Sequence, residues 1–101
     1  MKLLWSNSAK EDIREIYLFY KISATLKIAK KIKASIFSKT KILRKYPEMG
    51  KTEENKNVTG KGYRFIVSGN YKIVYRIFDS ELILISAVFD CRQNPDKMLN
   101  K

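Results

Sequence analysis

The pattern of apolar and polar positions divides the chain into two regions with different periods. Residues 2–5 form a short apolar run, which predicts a strand. From there to residue 46, apolar side chains recur every three or four positions, a spacing typical of helices. After Gly50 the chain changes to short apolar runs separated by turn residues, which is typical of strands. We therefore predict helices first and a sheet afterwards.

The first region contains two amphipathic helices. Ser6 and Ser8 are both candidate N-caps of the first helix, which ends near Ser23. The second helix runs from about Ala24 to Tyr46, before a proline that the helix cannot include. Because the break between them is short, the two helices should form a hairpin. Their apolar faces consist of Ala9, Ile13, Ile16, Tyr17 and Tyr20 in the first helix and Ile28, Ala29, Ile32, Ile36 and Leu43 in the second.

The second region predicts a polar loop over residues 51–62 and then three strands. Two strands, Tyr63–Val67 and Tyr71–Phe78, are joined at a turn of Ser, Gly and Asn. The third, Leu82–Phe89, is apolar except for Ser86, which predicts a central strand buried on both faces. The class is α+β: one domain over residues 1–101, with a strand, a helical hairpin and an antiparallel sheet of three or more strands, the helices packing on one sheet face.

Charge narrows the range of partners. The chain has 21 basic and 10 acidic residues and a net charge of +11. Residues 21–61 hold twelve of the basic and three of the acidic side chains. This surplus predicts a nucleic acid, an anionic membrane face or an acidic protein segment as partner, although a solvated Lys-rich helix face is an equal alternative. The candidate binding residues on the second helix are Lys27, Lys30, Lys31, Arg44 and Lys45.

Composition also excludes several kinds of chemistry. The chain has no histidine, which excludes Ser-His-Asp and Cys-His relays and histidine-rich zinc sites. The single cysteine, Cys91, cannot form an internal disulfide, as is typical of a reducing compartment. No apolar run is long enough for a signal-peptide core or a membrane span, so we expect a cytoplasmic protein with no membrane partner. Because the sequence has no histidine and no glycine-rich phosphate loop, we also expect no metal or other cofactor.

The strand cations are the candidate catalytic groups. If Ser68, Gly69 and Asn70 form a three-residue loop, which we expect, Arg64 and Lys72 share one sheet face. A two-residue turn would separate them, because the side-chain period of a strand is two.

A face bearing Arg64, Lys72 and Arg92 could hold a phosphodiester and stabilise developing charge. Arg76 and the rings of Tyr71 and Tyr75 are further candidates for contact with a nucleic acid or another target, since tyrosine stacks on unpaired bases. The structural alternative is that these are ordinary exposed cations and core tyrosines.

The order and spacing of several motifs resemble the RelE/ParE superfamily of toxins from bacterial type II toxin–antitoxin (plasmid-stabilisation) systems. The resemblance covers nearly the whole chain, and its fold agrees with the layout above. The matching stretches are Trp5-Ser6, Ala9 to Ile16, Leu43 to Gly50 with Pro47, Tyr63-Arg64, Gly69-Asn70-Tyr71-Lys72-Ile73-Val74-Tyr75, and Val88 to Pro95 with Asp90 and Arg92-Gln93-Asn94-Pro95.

The resemblance implies a growth-inhibiting toxin neutralised by a cognate antitoxin, with two possible targets. The RelE-like branch is a ribosome-dependent mRNA endoribonuclease, in which Arg64, Lys72 and Arg92 would fall at its basic positions. Met98 falls where that branch has a C-terminal tyrosine, and a thioether cannot transfer a proton. The ParE-like branch acts on DNA gyrase and is not a nuclease. The sequences of the motifs, especially those at residues 69–75 and 92–95, are closer to this branch. A non-toxic basic nucleic-acid-binding module is the alternative from another class.

Overall fold

A computed structural model describes residues 1–52 and 62–92 of the protein. Two helices pack on one face of a five-stranded sheet, in which the strand order is β1-β5-β4-β3-β2. This arrangement confirms the predicted α+β class and the grouping of helices before the sheet. The elements are β1 (Lys2–Trp5), α1 (Asn7–Ser23), α2 (Leu26–Leu43), β2 (Lys51–Thr52), β3 (Tyr63–Ser68), β4 (Tyr71–Phe78) and β5 (Leu82–Asp90).

The sheet is mixed because its first strand pairs in parallel with its last. β5 lies between β1, which is parallel to it, and β4, which is antiparallel. The predicted central position of β5 is therefore confirmed. Its predicted burial on both faces is wrong, because the helices cover only one face of the sheet. Side chains of β5 accordingly alternate, for most of its length, between buried and half-buried.

Side-chain caps define where the two helices begin. The Ser6 hydroxyl accepts a hydrogen bond from the Ala9 N–H at 3.0 Å, so Ser6, and not Ser8, caps α1. Thr25 caps α2 in the same way, accepting from the Ile28 N–H at 3.1 Å. The predicted helical hairpin is confirmed. α2 ends at Leu43, three residues before the predicted end, and the chain continues as a turn.

The core lies between the helices and the sheet, and a buried carboxylate joins the two layers. Asp12 of α1 is 3% exposed and accepts a hydrogen bond from the Val88 N–H at 2.9 Å. Beside it, Ser86 is an extra residue in β5 where the register with β4 shifts. The Ser6 hydroxyl donates to the Ser86 carbonyl at 3.2 Å. The start of α1 is thereby fixed to the β5 bulge.

The segment predicted as a polar loop over residues 51–62 begins with β2, which pairs antiparallel with β3. The remainder of that loop, residues 53–61, lies outside the described residues, as does Met98. Over residues 1–52 and 62–92, neither helix combines the length and the apolar character needed to cross a membrane.

Candidate functional site on the two faces of the sheet

The β3–β4 turn decides which side chains share a face. Ser68 pairs directly with Tyr71, so the loop consists of two residues, Gly69 and Asn70. Gly69 adopts φ of +59°, which suits the first loop position of a two-residue hairpin and which a residue with a Cβ rarely adopts. The expected three-residue loop is therefore wrong.

The shorter turn separates the two strand cations. Arg64 is paired with Tyr75 on the face that the helices cover, whereas Lys72 is paired with Val67 on the opposite face. We call this opposite face, on which no helix of residues 1–52 and 62–92 packs, the open face. The prediction that Arg64 and Lys72 point the same way is wrong, because a one-residue change in the loop inverts one strand relative to the other.

Arg64 and Tyr75 together hold the turn that joins α2 to β2. The Arg64 guanidinium donates to the Gly50 carbonyl at 2.9 Å. The Tyr75 hydroxyl donates to the Pro47 carbonyl at 2.7 Å and accepts from the Gly50 N–H at 3.0 Å. A Cβ on Gly50 would lie 2.5 Å from the Tyr75 oxygen, so the approach requires glycine. We call Arg64, Tyr75, Pro47 and Gly50 the turn latch.

Both candidate tyrosines lie under the helices. Tyr71 is 8% exposed and Tyr75 is fully buried. The Tyr71 hydroxyl donates to the Tyr20 hydroxyl at 3.1 Å. Burial raises the pKa of both phenols above the ordinary value. In this arrangement neither ring is available to stack on a base, and the core-tyrosine alternative describes them.

Arg92 is paired with a carboxylate two residues before it. Its Nε and Nη2 donate to the two oxygens of Asp90 at 2.9 and 2.6 Å, and its backbone N–H donates to Asp90 Oδ1 at 2.8 Å. These bonds lower the pKa of Asp90 to about 2. The pair therefore carries no net charge at neutral pH, and Arg92 contributes little to the field of the sheet.

The open face combines aromatic rings with cations. Lys72 Nζ lies 4.1 Å from the ring centroid of Phe65, and Arg76 Cζ lies 4.8 Å from that of Phe78. The register gives this face four cations and no carboxylate among the described strand residues. Its members are Lys2, Leu4, Lys51, Tyr63, Phe65, Val67, Lys72, Val74, Arg76, Phe78, Leu82, Leu84, Ala87 and Phe89.

The helix-two cations form a second basic surface, separate from the open face. Lys27, Lys30 and Lys31 are exposed on α2, which lies on the covered side of the sheet. Beyond its end, Arg44 Nε donates to the Met1 carbonyl at 3.2 Å and Lys45 Nζ lies 5.7 Å from the Tyr46 ring centroid. The proposed catalytic cations and the proposed binding cations thus do not converge on one site.

Sequence reasoning missed the turn latch and the Asp90–Arg92 pair. The latch has no sequence signal, because its partners are backbone atoms 14 to 28 residues away along the chain. The Asp90–Arg92 pair does have a sequence signal, because a carboxylate two residues before an arginine at a strand end can reach the guanidinium. Among the described residues, no cluster of three or more Asp, Glu or Cys side chains is arranged to hold a metal ion.

A match to a protein-family model establishes the family to which the chain belongs. The model of the ParE toxin of type II toxin–antitoxin systems, parDE, matches residues 3–95. The chain belongs to this family. The ParE-family protein is therefore a type II toxin, as the motif order predicts.

Solved structures agree with the fold of this ParE-family toxin. A chain from the chromosomal ParDE toxin–antitoxin system of P. aeruginosa is 21% identical, with a TM-score of 0.75, covering 89% of the toxin and 95% of that chain. A chain from the RelBE2 toxin–antitoxin complex of Mycobacterium tuberculosis is 20% identical, with a TM-score of 0.59, covering 88% of each. A search of curated proteins finds no match.

Proposed function

We propose that this toxin inhibits growth by acting on DNA gyrase, does not cleave RNA, and is neutralised by a cognate antitoxin. The observation that carries the proposal is the dispersal of the three cations that RNA cleavage would need. Arg64 lies on the covered face in the turn latch, Lys72 lies on the open face, and Arg92 is bound to Asp90. The proposal includes a cytoplasmic site of action, where gyrase works.

RNA cleavage would require several groups acting on one phosphodiester. A cation must neutralise the developing charge, and a titratable group must transfer a proton within hydrogen-bond reach of it. Tyr75, the phenol paired with Arg64 on the covered face, is fully buried, and its oxygen both donates and accepts within the latch. Burial also raises its pKa, which makes the phenol a poorer acid at neutral pH.

The open face is the surface that we assign to the target. Lys72 and Arg76 carry their charges over aromatic rings, and Val67, which is paired with Lys72, is 44% exposed. A face with four cations and no carboxylate among its described strand residues favours an acidic surface on the target. Lys27, Lys30 and Lys31 on α2 are proposed as long-range contributors to the same attraction.

An antitoxin partner is supported by family membership and by charge. The similar solved chains come from a ParDE system and from a RelBE2 toxin–antitoxin complex. The net charge of +11 favours an acidic partner that folds as it binds.

The experiment compares two readouts of the purified toxin. With gyrase and supercoiled plasmid, we expect DNA breaks trapped on the enzyme. In a translating extract, we expect intact transcripts. The double variant Lys72→Glu/Arg76→Glu should reduce gyrase trapping at least about tenfold, because it reverses two charges of the open face. Lys39→Glu, a single charge reversal at an exposed position of α2 away from the open face, is the control and should retain trapping.

Other outcomes would contradict the proposal. Cleaved transcripts without trapped gyrase would assign the RNA-cleaving activity instead. Normal growth after induction without an antitoxin would favour the non-toxic binding module. Equal loss of trapping in the double variant and in Lys39→Glu would mean that overall charge acts and the open face does not.

A further inference from the structure

Within the described part of the chain, no strand pairs with the outer edge of β1. β1 is the terminal strand of the sheet, and every second residue along it forms its backbone hydrogen bonds with β5. The Lys2 N–H donates to the Glu81 carbonyl at 3.0 Å and the Ser6 N–H to the Ile85 carbonyl at 2.9 Å. Because backbone groups alternate in direction along a strand, Leu3 and Trp5 direct theirs away from β5. These groups form a short template for another strand.

An apolar groove of about 680 Å³ follows this edge on both sides of the sheet. Leu3 and Trp5 line it from the covered face, and Leu4 and Leu84 line it from the open face. The helices contribute Phe37, whose ring centroid lies 4.9 Å from that of Trp5. A chain laid along β1 would therefore bury alternate side chains against apolar surface on both sides.

The charges around the groove have one sign. Lys10, Arg14 and Lys33 line it, and none of its lining residues is acidic. Glu11, which does not line the groove, forms an exposed ion pair with Arg14 at 3.8 Å. The groove thus combines an apolar floor with a cationic rim, which complements a segment carrying both apolar and acidic side chains.

We propose that the β1 edge binds an extended segment of alternating acidic and apolar residues from the antitoxin, which adds to the sheet as a further strand. This inference rests on the proposed neutralisation by an antitoxin. Main-chain hydrogen bonds to Leu3 and Trp5 would give affinity, and the groove would select the side chains. A second copy of this chain does not fit, because it also carries a charge of +11. A nucleic acid has no row of backbone N–H and C=O groups at the spacing of a strand, so it could not pair with the β1 edge.

The test uses a synthetic peptide of about eight residues that alternates Glu with Val or Leu, enough to cover a strand. Trp5 lines the groove and is the sole tryptophan of the chain, so its fluorescence reports occupancy. We expect a saturable shift with this peptide and none with a version in which Lys replaces Glu. Lys33→Glu should weaken binding about tenfold, whereas Lys39→Glu, on the same helix but outside the groove, should change it less than about twofold.

N-methylated peptides separate strand addition from simple charge attraction. N-methylation of alternate residues removes the N–H groups of one peptide edge only. Because β1 would pair with one edge, one methylated set should abolish the Trp5 shift and the other should leave it nearly unchanged. Equal effects of the two sets would overturn the proposal, as would equal binding of the lysine peptide or of a single-stranded oligonucleotide.

Two further results bear on the occupant. A Trp5 shift that depends on toxin concentration alone, with dimers seen by sedimentation, would assign the groove to a second copy and overturn the proposal. Gyrase trapping is measured with the toxin alone, so its failure would reject the proposed target and would not affect the peptide result.

Discussion

The turn latch gives a sharp test of what holds the helical hairpin to the sheet. Replacing Tyr75 by Phe keeps the buried ring and removes only its oxygen. Two hydrogen bonds are lost, the 2.7 Å bond to the Pro47 carbonyl and the 3.0 Å bond from the Gly50 N–H. Gly50 is buried, so its N–H is left without that partner inside the protein.

The expected cost follows from those two groups. The buried Gly50 N–H costs about 1–3 kcal/mol when left unsatisfied, and loss of the bond to the half-buried Pro47 carbonyl costs about 1 kcal/mol more, so the variant should lose about 2–4 kcal/mol of unfolding free energy. That is a large part of the 5–15 kcal/mol typical of a domain. Urea denaturation followed by circular dichroism measures it, and the midpoint should fall by about 1–2 M with the slope unchanged.

Tyr46→Phe is the matched control. Its ring is 55% exposed, so this change should stay within about 0.5 kcal/mol of the parent. Arg64→Ala, made alone and together with Tyr75→Phe, measures the coupling within the latch, expected at about 0.5–3 kcal/mol. A Tyr75→Phe variant as stable as Tyr46→Phe would refute the reasoning, since the latch would then contribute nothing to stability.

Three further predictions follow from the same contacts. Gly50→Ala should lower the thermal midpoint, because its Cβ would lie 2.5 Å from the Tyr75 oxygen; an unchanged midpoint would contradict this. The Asp90 carboxyl should titrate at about 2 by NMR, and in Arg92→Ala near 4; its stabilisation is present above about pH 4 and is lost as pH falls towards 2. Because burial raises the pKa of Tyr71 and Tyr75, stability should hold below about pH 10 and fall above it in denaturation scans; a flat alkaline profile would contradict this.

The local pattern of the sequence was sufficient for most of the fold. Helical periodicity and the short break before Thr25 predicted the hairpin, and the apolar run of β5 predicted a central strand. The parallel position of β1 was beyond that reasoning, because the partner of a terminal strand depends on contacts about 80 residues away. Burial on one side only of β5 depended likewise on where the helices pack.

The candidate site depended on a single loop length. Ser-Gly-Asn is compatible with a two-residue or a three-residue hairpin, and the two choices put Arg64 on opposite faces relative to Lys72. Composition gives the net charge of +11 directly. It could not indicate which cations were already engaged, such as Arg92 with Asp90, since that depends on the direction of individual side chains.

The parallel pairing of Lys2–Trp5 with residues 82–85 has a consequence during synthesis. Until the ribosome has made β5, β1 has no neighbouring strand and α1 lacks the strand against which it packs. Such a distant contact closes late, because a long loop must be ordered first. A premature stop codon anywhere before Leu82 should therefore yield an unfolded polypeptide with no residual toxin activity. Any such nonsense mutation in the toxin gene should leave the host cell with no active toxin.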